Sequence, residues 1–346
     1  MPSVWINPLK DRRWENLIDR HHQSTYFHQT SWARVLHRTY GYTPYYLVTA
    51  SMNDTLTSGC PFFLVSNLIQ RRRLICLPYT DYCGPLISSE RDRTSLSDNF
   101  LSMNHKAGIS YIEVRGGTGF PRMIKQTYYK RFTIDLSPGV SEVWRRLSDK
   151  SIRYSIRKAE REQIIIKRGE SEPELNQFYQ MNVMTRRLHG FIPQPHKFFR
   201  LLFNEFIENQ TGFLLLAQKD KKITAGSVFL LHKDVIYHKY NASVPWSKYL
   251  CSNHLILWYA IKWAIKHGLK TMDLGRTAPD NTGLMSYKRH WGAAETDLPY
   301  YYYPNLHGIN AGQEGNLKYR GIRKIIKHIP PMILKKIGDS CYRYIA

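Results

Sequence analysis

Thr57-Ser58-Gly59-Cys60-Pro61-Phe62-Phe63-Leu64 and Thr224-Ala225-Gly226-Ser227-Val228-Phe229-Leu230-Leu231 share one pattern, T-x-G-x-x-F-x-L. A strand-like run precedes each, residues 46–50 in one case and 213–217 in the other. A polar turn lies between run and motif, Asn53-Asp54 or Lys219-Asp220-Lys221. Apolar runs separated by such turns read as β-hairpins. Further along, Gly108-Ile109-Ser110-Tyr111-Ile112-Glu113-Val114 matches Gly268-Leu269-Lys270-Thr271-Met272-Asp273-Leu274. Both pairs occur in the same order at nearly the same spacing. The sequence therefore predicts a tandem duplication of one mixed α/β unit.

The second copy is the clearer. A helix over 175–188 opens it, and strands follow at 213–218, 223–231 and 235–241. The helix over 252–267 is apolar on nearly every face and is expected to be buried. Ser252 or Asn253 is placed to cap it, Gly268 stops it, and a strand at 270–274 follows. The first copy repeats this with a helix near 31–39, strands through about residue 77, a helix near 93–106 and a strand at 109–114. Antiparallel strands followed by a crossover helix and another strand predict an α/β fold with a mixed sheet. Leu136-Ser137-Pro138-Gly139 punctuates the junction. The expected domains are 1–136 and 137–305, followed by a tail at 306–346. A chain of 346 residues agrees with about two domains.

Fifty Lys and Arg against 27 Asp and Glu leave a formal charge of +23. Such an excess points to an anionic partner: nucleic acid, phospholipid head groups or a phosphorylated substrate. The five cysteines are odd in number and form no C-x-x-C. They read as reduced thiols, with neither a disulfide framework nor a zinc site. No apolar segment follows the basic start, so no signal peptide is expected. The most apolar stretch, around 255–265, contains Lys262 and is too short to span a bilayer of ~30 Å. A cytoplasmic protein is expected, peripheral at most to the inner face of the plasma membrane.

Ligands of such sheets bind where strands end and loops begin. Asp273-Leu274-Gly275-Arg276 leaves a strand there. Asp273 reads as a general base or substrate anchor, or else as an ion-pair partner of Arg276 that fixes the loop. Glu113 and Arg115 occupy nearly matching places in the first copy. In Tyr287-Lys288-Arg289-His290-Trp291-Gly292, Lys288 can neutralise a phosphate or a developing oxyanion. A solvated basic turn is the alternative. Arg153, Arg157 and Arg161 recur every four residues and line one helix face, with Lys158 beside them. Tyr79, Asp81 and Tyr82 lie between Pro78 and Pro85, as a pocket wall or a packed turn. No G-x-S-x-G, H-E-x-x-H or G-x-x-x-x-G-K-[ST] occurs, and no metal site is expected.

Together these segments resemble the Fem family of peptidyl (aminoacyl) transferases and its FemAB-related relatives, which are double-GNAT proteins. The resemblance rests on Arg153, Ile156-Arg157-Lys158-Ala159-Glu160, Thr185, His189-Gly190, Pro193, Pro195, Ala225-Gly226, Tyr240-Asn241-Ala242-Ser243, Asn253, Leu257, Gly268, Asp273-Leu274-Gly275-Arg276, Lys288 and Trp291-Gly292. Phe27-His28, Trp32, Tyr40-Gly41 and the segment from Leu77 to Pro85 extend it into the first half. It covers roughly residues 1–305.

The resemblance implies two tandem GNAT-like domains and acyl transfer to an amine. It implies a catalytic Lys288; Asp273 is taken as the second catalytic candidate, and Arg153, Arg157, Lys158, Tyr79, Asp81, Tyr82, Tyr240, Asn253, Gly275 and Arg276 as candidate substrate-binding residues. No tightly bound cofactor is implied. The donor would be a co-substrate, an aminoacyl-tRNA or an acyl-CoA. The acceptor would be an amine on a small or lipid-linked envelope precursor of peptidoglycan type. An acyl-CoA-dependent N-acyltransferase of aminosugars or exopolysaccharide is the alternative, and a non-catalytic RNA- or polyanion-binding protein is the alternative from another class. The Arg/Gln-x-x-Gly-x-Gly/Ala pyrophosphate loop of single-domain acetyltransferases is in neither copy. The long helical arm of some Fem proteins has no room between residues 137 and 188.

In the tail, Ile322, Ile325, Ile326 and Ile329 recur at helical spacing opposite Arg323, Lys324, Lys327 and His328, and Met332-Ile333-Leu334-Lys335-Lys336-Ile337 follows Pro330-Pro331. A basic amphipathic helix over 316–346 would lie on an anionic membrane surface or dock on the second copy.

Overall fold

A computed structural model describes residues 3–66, 72–106, 108–304 and 317–345; the side chains of 103–106 and 317–320 are not among those described. The first part of the expected tail, to residue 316, lies outside the described residues. The strands in chain order are β1 Ser3–Ile6, β2 Thr43–Ala50, β3 Leu56–Val65, β4 Arg72–Ile75, β5 Ile109–Arg115, β6 Ile124–Asp135, β7 Ile165–Gly169, β8 Gly212–Lys219, β9 Lys222–His232, β10 Val235–Ser243, β11 Thr271–Thr277 and β12 Ala294–Tyr303.

The chain forms two compact units: residues 1–129, 297–313 and 343–346 make the first, and residues 130–296 and 314–342 the second. In the first, β1, β2, β3 and β4 pair antiparallel in succession, β4 pairs parallel with β5, and β5 pairs antiparallel with β12. In the second, β7, β8, β9 and β10 pair antiparallel, β10 pairs parallel with β11, and β11 pairs antiparallel with β6. Order and sense are the same in both. A helix makes each parallel crossover, Glu90–Lys106 in one and Ser252–Lys266 in the other. The duplication read from two short motifs is thus a duplication of whole topology.

The units are not contiguous along the chain. Lys130–Asp135 of β6 follows the first unit in sequence yet completes the second, and Tyr300–Tyr303 of β12 follows the second yet pairs in the first. The expected borders at 136 and 305 therefore do not coincide with the compact units.

The motif glycines have a packing reason. A Cβ on Gly59 would come within 2.5 Å of the Trp14 indole, and one on Gly226 within 2.9 Å of both Phe178 and Leu216. Trp14 lies on the helix Arg13–Arg20 and Phe178 on the helix Glu172–Leu188. In each unit the helix aromatic presses onto strand backbone, and only glycine admits that approach.

The core of the second unit forms around the Ser252–Lys266 helix, which buries Leu255, Ile256, Leu257, Trp258, Ala260, Ile261 and Ala264. Its expected cap is displaced. Cys251, at φ 55°, is the N-cap. The Ser252 hydroxyl instead pairs with Thr224 Oγ1 at 2.9 Å, tying the helix to the threonine that opens the repeated motif.

The tail forms the helices Leu317–His328 and Pro331–Cys341, which pack against the Glu172–Leu188 helix. Leu334 and Ile326 are buried there, and Lys335 donates to Gln180 Oε1. The predicted apolar stripe does not all turn inward, because Ile322 and Ile325 remain exposed.

Candidate active site

In the second unit β10 and β11 pair only from Val235↔Thr271 to Tyr237↔Asp273. Beyond that point β10 follows β9 as far as Ser243↔Ala225, while β11 follows β6 as far as Thr277↔Lys130. Among the described residues no ladder bond joins the two strands past Asp273, so the sheet opens between them. Each strand also carries an irregularity at this level: between His238 and Tyr240 on one side, and between Asp273 and Arg276 on the other. Bulges bend strands and re-aim backbone groups, often beside active sites.

Gly275, at φ 71°, makes the turn of the second bulge, a conformation glycine adopts without steric cost. Its N–H donates to Asp273 Oδ1 at 2.6 Å. The carbonyls of Gly275 and Arg276 accept from Lys288 Nζ at 3.0 and 3.1 Å. Lys288 is buried on the helix Thr282–His290, which Asn281 caps by accepting from the Leu284 N–H. Its ammonium lies 5.2 Å from the Phe132 ring centroid. The solvated-turn alternative for Lys288 is thereby excluded, whereas Arg289 pairs with Glu295 at 2.6 Å on the exposed side.

Asp273 is 1% exposed, and Arg131 grips its Oδ2 through Nε and Nη2, each at 2.7 Å. The sequence offered an ion pair, for example with Arg276, as one alternative; the structure adds Arg131, which β6 brings opposite Arg276 in the register, on a strand not expected from the sequence. With Oδ1 on Gly275 and Oδ2 on Arg131, the carboxylate anchors the bulge.

His238 was missed. It lies on β10 just past the last paired residue, stacked on Phe229 with its Nε2 3.3 Å from Ser227 Oγ. Burial, with the Lys288 charge adding to it, pushes its pKa down to about 4, so it is neutral at pH 7. No motif marks it in the sequence; only the place where β10 leaves β11 does. A histidine held below its unfolded value of ~6.5 contributes stability that is complete above that pH. The contribution is lost as pH falls towards about 4, because the unfolded chain takes up the proton first. His238→Gln is therefore expected to flatten the fall in the urea midpoint between pH 6.5 and 4. His189, His196 and His254, lowered chiefly by burial, leave a residual slope of the same sign.

Tyr240 continues β10 beyond the opening, with its ring against Phe198 and Phe199 and its hydroxyl 3.5 Å from Gln194 Nε2. Asn253 lies in the first turn of the helix that follows β10. Its Oδ1 and the neighbouring His254 Nδ1 are buried without a protein partner. Arg153 and Arg157 share Asp149, at 3.2 and 3.5 Å, and Arg157 also covers Trp144. Arg153 ends a π-helical turn, Asp149–Arg153, and Arg157 lies on the helix after it, so the expected stripe begins in an irregular turn. Lys158 is half-buried on the helix Tyr154–Arg161.

The first unit fills the equivalent opening. After Ile75↔Glu113 the chain continues as Cys76 N–H to Glu113 O, and Cys83 N–H returns to Arg115 O at 2.7 Å. Arg115 fills the gap, donating to Glu113 at 2.5 Å and to the Leu77 and Thr80 carbonyls at 3.4 and 3.2 Å. Tyr79, Asp81 and Tyr82 belong to this plug: Tyr79 meets the Tyr42 hydroxyl at 3.2 Å, the Asp81 carbonyl accepts from Tyr300 at 2.6 Å, and Tyr82 packs on Phe27. They are knit into the first unit as a packed turn.

Residues 146–289 match the family model of the acetyltransferase (GNAT) domain. The second unit carries a GNAT-type acyltransferase domain. FemX superposes over 87% of this chain and 97% of its own with a TM-score of 0.69 at 13% identity. The C-terminal domain of a putative lysylphosphatidylglycerol synthetase from Agrobacterium fabrum covers 85% of the chain and 91% of its own, at TM-score 0.54 and 12% identity. A tandem GNAT protein from the clavulanic acid biosynthesis pathway covers 87% and 97%, at 0.54 and 9%. No curated protein matches the sequence. At these identities the likeness establishes the fold, which is the Fem-type tandem GNAT fold expected from the sequence. Among the described residues no helix is long and apolar enough to cross a membrane, and no cluster of side chains could hold a metal ion.

Proposed function

We propose that this protein transfers an aminoacyl or acyl group to an amine of a cell-envelope precursor of peptidoglycan type. The observation that carries the reading is the opening between β10 and β11 with Lys288 fixed at its edge. In acyl transfer the amine nitrogen attacks the donor carbonyl, the new C–N bond forms, and the ester or thioester bond to the carrier breaks. Negative charge develops on the carbonyl oxygen between these events. A buried cation held in place beforehand stabilises that charge without reorganising. The amine, with a free pKa of ~10.4 for a lysine-type acceptor, must react neutral, and its proton leaves with the carrier oxygen or sulfur. Asp273, with both oxygens engaged, positions the loop that presents the Gly275 and Arg276 carbonyls to Lys288. Arg153, Arg157, Lys158, Tyr240 and Asn253 are assigned to donor and acceptor binding.

The envelope acceptor is supported by the names of two fold relatives, FemX and a lysylphosphatidylglycerol synthetase domain. The acetyltransferase match over 146–289 favours a second reading, acyl-CoA-dependent N-acylation of an aminosugar or exopolysaccharide. Mass spectrometry of an amine-bearing muropeptide and of an aminosugar, each incubated with charged tRNA or acyl-CoA, separates the two. The proposal expects an aminoacylated or acylated muropeptide. Product only from acyl-CoA with the aminosugar overturns it in favour of the second, and no product with any pair overturns both.

A further inference from the structure

The tail helices do two things at once. Leu334 and Ile326 pack inward, yet Ile322 and Ile325 remain 52% and 66% exposed, and Met332 and Ile333 75% and 51%. Ile322 and Ile325 stand three residues apart on one helix, so they share a face, and Pro330-Pro331 joins that helix to the one that starts with Met332 and Ile333. A helix that docks only to stabilise a domain turns such side chains inward. In the same unit the turn Pro245–Leu250 exposes Trp246 and Tyr249, each 55%, on either side of Lys248. Lys248 of this turn and Lys327 of the tail both lie within Coulomb range of His189. Besides its burial, His189 feels the charges of Arg186, Lys248 and Lys327 together, and its pKa is lowered accordingly.

We propose that the two tail helices and the Pro245–Leu250 turn form a surface that docks the second unit on an anionic lipid membrane. The composition is that of an interfacial element. Aliphatic side chains enter the acyl boundary, Trp and Tyr sit at head-group level, and lysines reach anionic head groups. Among the described residues Lys324, Lys327 and Lys336 join no ion pair, so their charge is available to lipid phosphate. A polynucleotide would use the lysines and the two aromatics but gives Ile322, Ile325, Met332 and Ile333 nothing to contact, since aliphatic groups have no π-face for stacking bases. The exposed aliphatics therefore favour lipid. The surface rests on the proposed acyl transfer only in that it would place the domain where a lipid-linked acceptor would be.

Vesicle flotation of the full chain tests it, with phosphatidylcholine vesicles containing or lacking phosphatidylglycerol, and with bulk tRNA in a parallel binding assay. The chain is expected to float with the anionic vesicles and not with the neutral ones. Ile325→Glu with Met332→Glu, both at exposed positions, is expected to weaken binding about 10-fold. Lys324→Gln with Lys327→Gln is expected to weaken it about 25-fold at low salt, roughly five-fold per lysine. Turnover on a water-soluble acceptor is expected to stay unchanged in both, which separates this surface from the reaction site. No flotation of the wild type with anionic vesicles overturns the proposal. So does flotation indifferent to the Glu pair, or a Glu pair that weakens tRNA binding while vesicle binding persists.

Discussion

Lys288→Met is expected to lower turnover about 100- to 1,000-fold, the range seen when one preorganised oxyanion stabiliser is removed. The loss should fall on kcat more than on KM, because the interaction strengthens only as charge develops. The side chain is buried and methionine nearly matches its volume, so packing survives. What the fold loses is the donor to the Gly275 and Arg276 carbonyls, at a cost of about 1–3 kcal/mol. A thermal melt that stays cooperative, read beside steady-state turnover on the true substrate pair, distinguishes lost chemistry from lost fold. Full turnover in a folded Lys288→Met protein would remove Lys288 from the reaction and with it the central assignment of the site. Lys288→Arg is no conservative rescue, since a planar guanidinium cannot place a point charge between the same two carbonyls.

The largest stability effect is expected at Arg131. Removing it takes from the Asp273 carboxylate, 1% exposed, the guanidinium that grips its Oδ2. Breaking such a pair by deleting one partner costs about 3–5 kcal/mol. Arg131→Met should therefore shift the urea midpoint strongly. Adding Asp273→Asn should recover much of the loss, since the neutral amide no longer needs a cation and can still accept from the Gly275 N–H. A double-mutant cycle measures that coupling. Near-additive losses would mean that Arg131 stabilises β6 for reasons other than Asp273.

The hairpins were legible because strand period and turn chemistry are written locally, and because the motif glycines mark where a helix aromatic meets backbone. The loop at Asp273–Arg276 and the lysine that follows it were legible for the same reason. β6 was not. Its residues 124–135 include Lys125, Lys130 and Arg131, and the register partner of Asp135 is Thr271, far along the chain. Nothing local announces such a pairing. His238 was invisible for a related reason, since its environment exists only where β10 parts from β11. The tail stripe was read correctly as apolar, but which of its isoleucines faces protein depends on the surface it meets.

The sequence by itself determined that one α/β unit is present twice and that the second copy carries a lysine after a strand-end loop. Local periodicity and glycine placement suffice for that. Only the tertiary structure decided that the first copy's opening is plugged by Arg115 and the Cys83 segment while the second stays open. It alone gave Asp273 to Arg131 and left Ile322 and Ile325 in solvent. These outcomes depend on which distant segments compete to satisfy a buried charge, a backbone group or an apolar face, and that competition is settled by packing across the whole unit.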